Sequence, residues 1–152
     1  MPTIQELKDR VNAAIDRQAD QLIKTAKTIL NNPEPGFREF KTAKLVGEVF
    51  DSFGIAHQDG IGITGLKGYL DGATQGPTVG VMGELDSLKV QGHPHVDSET
   101  DAAHACGHHC QIGMMLGVAA RSTSKSHTAM TCAVKASWSS SEANPSSSGS
   151  AH

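Results

Sequence analysis

Apolar residues recur at Ile4, Leu7, Val11, Ile15, Leu22, Ala26, Ile29 and Leu30, with Lys, Asp, Arg and Gln between them. Spacings of three, four or seven residues place these positions on one stripe of a helix, and such a stripe is expected to face a core. Thr3 and Glu6, just ahead of it, have the spacing of a capping box, so the helix is predicted to begin there. Pro33, Pro35 and Gly36 end it, because each proline disfavours helical backbone in the residue before it and glycine permits a sharp turn. A second helical period runs from Glu39 to Ser52 through Phe40, Ala43, Leu45, Val46, Val49 and Phe50, with Phe53 continuing it and Gly54 as its stop.

The pattern then changes. Ile55 to His57, Ile63 to Leu70 and Thr78 to Leu85 are short, rich in Ile, Val and Leu, and separated by glycines and Pro77, which predicts strands. The nearly unbroken small and apolar run from Thr78 to Gly83 predicts an inner strand covered on both faces. Its carboxyl end delivers Glu84 and Asp86, and in open α/β sheets ligands bind at that edge. Lys89 to Ala105 is polar and without period, a predicted loop. Helical spacing resumes from about Gly107 to Ala120, with Ile112, Met115, Leu116 and Ala119 on one face. Arg121 to His152 is dominated by Ser, Thr and Ala and is expected to be disordered, since such a composition cannot bury enough apolar surface to offset ordering entropy. The expected organisation is an α/β unit over 1–120, helices on a small mixed sheet, followed by a Ser-rich tail over 121–152.

Composition narrows the function. A formal net charge of -3 with mixed signs argues against a nucleic-acid or membrane partner. No apolar run approaches the roughly 20 residues that span a bilayer, and the first residues lack the basic and apolar regions of a secretory signal, so a cytoplasmic location is expected. Aromatic residues make up only 4%, which predicts an aliphatic core. The 3 cysteines are an odd number, which favours reduced thiols over a disulfide framework.

Candidate chemistry concentrates in His104-Ala105-Cys106-Gly107-His108-His109-Cys110. Cys106, His108 and His109 fall at a predicted helix N-terminus, where free N–H groups and the dipole favour a thiolate. Thiolate and imidazole are good ligands for zinc or manganese-like ions, and a Cys-x-His spacing can present both from one turn. Cys110 reads as a small buried residue, and His93, His95 and His104 as histidines lining or solvating the loop. Glu84, Asp97, Glu99 and Asp101 read as ordinary charged loop residues.

Gly83-Glu84-Leu85-Asp86-Ser87-Leu88, followed by His93-Pro94-His95 and the run His104 to His109, resembles the metal-dependent amidohydrolases related to auxin-conjugate hydrolase and aminobenzoyl-glutamate hydrolase, grouped with the aminoacylases. Asn32 to Ala43 is similar to the same family's N-terminal signature, and the resemblance spans roughly 15–120. It implies the N-terminal part of a metallopeptidase-like catalytic domain acting on small N-acyl amino acids or related amides with two divalent metal ions, Zn or Mn. Cys106 and His108 match the family's first two metal ligands. Asp86 matches the acidic residue of the catalytic site that positions a metal-binding histidine, a role that outer carboxylates serve in many metal sites. His109 and Lys89 depart from it, standing where relatives often have Asp and Pro. A strand ending in Glu-Glu, which supplies the family's general base, is not found, nor are its downstream histidines or its dimerisation domain. The expectation is therefore a hydrolase fragment inactive alone, with a noncatalytic truncated or frameshifted product retaining residual metal binding as the alternative.

Overall fold

The computed structural model describes residues 2–71, 76–121 and 130–135. Its helices are α1 (Ile4–Asp16), α2 (Ala19–Leu30), α3 (Phe40–Ser52) and α4 (His108–Arg121). The strands are β1 (Ala56–Ile61), β2 (Gly65–Leu70), β3 (Val79–Glu84), β4 (Leu88–Lys89), β5 (Ala102–Ala103) and β6 (Met130–Lys135). Both classes of element fall where the change of period placed them.

The predicted first helix is two. The capping box is present, with Thr3 Oγ1 accepting from the Glu6 N–H and the Glu6 carboxylate accepting from the Thr3 N–H at 2.7 Å. The chain turns at Arg17-Gln18; α2 buries Leu22, Thr25 and Ile29, while α1 reaches the core through Ile15, half-buried against it. No residue of α1 is buried, and Ile4 is 75% exposed, which corrects the expectation of a core face from residue 4 onwards. Spacing fixes which residues share a face; it does not fix what that face meets. Beyond α3, Gly54 adopts φ 66°, a left-handed conformation available to glycine without strain, and stops the helix as expected.

The main sheet is mixed, in the order β1-β2-β6-β3. β1 and β2 are antiparallel, β2 and β6 are antiparallel, and β3 runs parallel to β6 with Val79 opposite Met130 and Glu84 opposite Lys135. Two corrections follow. The 121–152 segment, expected to lack a strand, supplies β6 between β2 and β3; the alternation in Met130-Thr131-Cys132-Ala133-Val134-Lys135 is strand-like but only six residues long and set among Ser and Thr. The rest of that segment beyond Arg121 lies outside the described residues. β3, expected to be internal, is an edge strand among the described residues, with Val79 49% and Met82 66% exposed. An apolar run indicates a strand but not which neighbours it has. In the predicted loop, the short pair β4–β5 also forms, Leu88 opposite Ala103.

One core joins Leu22 and Ile29 of α2, Val46, Val49 and Phe50 of α3, Ile55, Leu66 of β2, Leu85, and Ile112, Met115, Leu116 and Ala119 of α4. It is aliphatic apart from Phe50, and burying each such side chain contributes about 1.5–3 kcal/mol. Leu85, fully buried between Glu84 and Asp86, anchors the end of β3 in this core. Among the described residues no helix is long and apolar enough to cross a membrane.

Candidate metal centre

The end of β3 and the start of α4 meet at His108. Gly107 takes φ 87°, a left-handed conformation that a residue with a side chain adopts only under strain, and its carbonyl begins the helix by accepting from the Cys110 and Gln111 N–H groups. This turn separates Cys106, exposed and free, from His108, the first residue of α4. Gln111 Oε1, one turn into α4, accepts from the Glu84 N–H at 2.8 Å and ties the helix to the last residue of β3.

His108 is clasped from both ring nitrogens. Nδ1 lies 2.9 Å from the Asp86 carbonyl oxygen and 3.0 Å from Asp86 Oδ1, while Nε2 lies 2.9 Å from Glu84 Oε2. A carbonyl oxygen can only accept, so Nδ1 carries hydrogen and points it there. Asp86 Oδ1, buried and without a hydrogen bond of its own, acts on the ring through charge. With Nδ1 committed to Asp86, Nε2, which here faces the Glu84 carboxylate, is the ring atom left for an ion.

His104 sits behind this pair, buried, with neither ring nitrogen hydrogen-bonded among the described residues. Its ring packs edge-on against His109 with centroids 5.4 Å apart. Burial pushes the His104 pKa down to about 4, helped by the neighbouring His109 and His108 and opposed by Asp86. Burial, and then His108, also lower that of His109. His109 Nε2 is 3.2 Å from the Cys110 sulfur.

Of the sequence-predicted site residues, Asp86 and His108 are brought into contact. Cys106 is two residues from His108 across the Gly107 turn. Three readings are corrected: His104 is a buried ring rather than a solvated loop histidine, Cys110 is exposed rather than buried, and Glu84 faces His108 rather than open solvent alone. A single residue between Glu84 and Asp86 places both on one side of an extended chain, and that spacing is the signal the sequence offers. His93 and His95 stack on each other in their loop, with centroids 5.8 Å apart. Asp97 accepts from the Thr100 hydroxyl and N–H, which hold its carboxyl below the usual range.

The donor chemistry fits a divalent ion only in part. Imidazole Nε2, carboxylate and thiol side chains are all present, yet no group of three or more His, Cys, Asp or Glu side chains among the described residues is arranged to hold an ion. The residues fit one side of a coordination sphere.

No family model matches the chain. It is 32% identical over 116 residues to thermostable carboxypeptidase 2 of Saccharolobus solfataricus, covering 74% of this chain and 30% of that protein. It is 33% identical over 103 residues to IAA-amino acid hydrolase ILR1-like 2 of Arabidopsis thaliana, covering 66% and 23%. Its fold is shared with the Bacillus subtilis YXEP protein, a dinuclear metal-binding peptidase of the M20 family, at a TM-score of 0.67 and 22% identity over 81% of this chain and 35% of that one. The chain spans about 30% of the length of the first of these curated relatives. Over the part it covers, the chain belongs to the metal-dependent amidohydrolase family of these carboxypeptidase and amino acid hydrolase relatives.

Proposed function

We propose that the chain forms one wall of the metal centre of an amidohydrolase that cleaves the amide bond of N-acyl amino acids or similar conjugates. The observation that carries this reading is the clasp on His108, with Nδ1 fixed by Asp86 and Nε2 directed to the side where Glu84 lies. Relatives whose names denote a carboxypeptidase and a conjugate hydrolase support the reaction class. Cys106 and His108 would hold an ion, zinc or manganese. Two such ions, when bound, would supply an acidified water and polarise the amide carbonyl. Asp86 would keep Nδ1 occupied and leave Nε2 for the ion in place of its contact with Glu84.

A second reading, a noncatalytic chain that binds an ion without turning over substrate, is favoured by the lack of any three-donor group among the described residues. Titration with Co2+ and an N-acyl amino acid assay separate the two. Sulfur-to-cobalt charge-transfer absorption that disappears in Cys106→Ser and weakens in His108→Ala, together with release of free amino acid, establishes the hydrolase. The same absorption without release establishes the second reading. Absence of both overturns the metal centre itself.

A further inference from the structure

The Asn32–Gly36 corner does more than end α2. Glu34 is a carboxylate buried to all but 7%, and both its oxygens are engaged: Oε1 accepts from the Lys41 N–H at 3.0 Å, and Oε2 accepts from the Thr42 N–H and hydroxyl, each at 2.8 Å. These are donors in the first turn of α3, so the carboxylate lies where free N–H groups and the helix dipole favour a negative charge. The corner is thereby fixed to a core helix.

The backbone of the same residue holds the site. The Glu34 carbonyl accepts twice from Ser87, from its N–H at 2.9 Å and its hydroxyl at 2.8 Å, and Pro35 and Ser87 form a parallel β-bridge. Ser87 is itself buried and directly follows Asp86, whose carbonyl and carboxylate both meet His108 Nδ1. Hydrogen bonds at each end of Glu34, and the peptide bond from Ser87 back to Asp86, link the start of α3 to the ring of His108. A peptide group pinned on its C-terminal side by two bonds leaves the Asp86 carbonyl little freedom to turn away from Nδ1.

We infer that Glu34 and Ser87 are positioning residues that hold the Asp86 carbonyl against His108 and so keep a hydrogen on its Nδ1. The functional weight of this rests on the metal-binding reading of His108; the tautomer itself does not.

The experiment measures the side-chain 15N shifts of His108 in the full chain, beside Zn2+ affinity by calorimetry, for Ser87→Ala and Glu34→Gln. Ser87→Ala keeps the Ser87 backbone bond to Glu34, so it is the milder variant and decides the matter if Glu34→Gln does not fold. The expected result is hydrogen held on Nδ1 in the unmodified chain and only partly so in the variants, with the far-UV spectrum unchanged and Zn2+ binding weaker by about 10-fold, the lower end of the effect of residues behind a ligand. Unchanged His108 shifts in folded Ser87→Ala overturn the inference, even if stability drops. A shifted tautomer in a chain that binds no Zn2+ upholds the inference and removes the metal-binding reading. Zn2+ binding with an unresponsive tautomer does the reverse.

Discussion

His108 Nδ1 lies 2.9 Å from the carbonyl oxygen of Asp86 and 3.0 Å from its carboxylate, although 22 residues separate the two in the chain. One residue thus offers the imidazole both a neutral acceptor, which holds a hydrogen on Nδ1, and a buried carboxylate beside it.

Replacing the charge while keeping the carbonyl separates these effects. Asp86→Asn is expected to weaken Zn2+ or Co2+ binding by about 10–100-fold, the range typical of carboxylates behind a metal-bound histidine. Calorimetric titration checks it, and an affinity equal to that of the unmodified chain would show that the carboxylate is not felt at Nε2.

His104 makes stability depend on pH. Its folded pKa is lowered from 6.5 to about 4, so between those values the unfolded chain binds more protons than the folded one. Stability is therefore full above about pH 6.5 and falls as pH drops toward 4, by roughly 2–3 kcal/mol on this group's account. Urea unfolding at pH 7 and pH 4.5, compared between the unmodified chain and His104→Phe, measures it. A smaller loss in the variant is expected; equal losses would mean that His104 is not sequestered from protons.

Deleting residues 121–152 removes β6, which pairs with β2 on one side and β3 on the other. The shortened chain is expected to lose cooperative unfolding or to self-associate through the two strand edges it exposes. Sedimentation and thermal melts test this. A monomer with an unchanged melt would mean that β6 contributes nothing to the fold.

Ile63 holds φ 91° in the turn between β1 and β2, a conformation that a β-branched residue adopts only under strain, and its side chain is 61% exposed. Ile63→Gly relieves the strain and loses little packing. An increase in stability of about 1 kcal/mol is expected, offset in part by the greater freedom glycine has when unfolded. A decrease in the denaturation midpoint would show that the Ile63 side chain contributes packing its exposure does not suggest.

The sequence by itself determined what is local. The period of apolar residues set α2, α3 and α4 and the first three strands. Thr3 and Glu6 specified the capping box, Gly54 the end of α3, and Cys106-Gly107-His108 two donor residues around a tight turn. The family resemblance marked Asp86 and His108 as candidate site residues, and the fold brings the two into contact. Tertiary structure alone decided what depends on neighbours distant in the chain. It set β6 inside the sheet and β3 at its edge, left α1 without a buried residue, closed His104 off from water and turned Glu84 onto His108. Hydrophobic spacing records which side chains share a face of their own element. The residues that face meets are chosen by long-range pairing and packing, which no single stretch of the chain encodes.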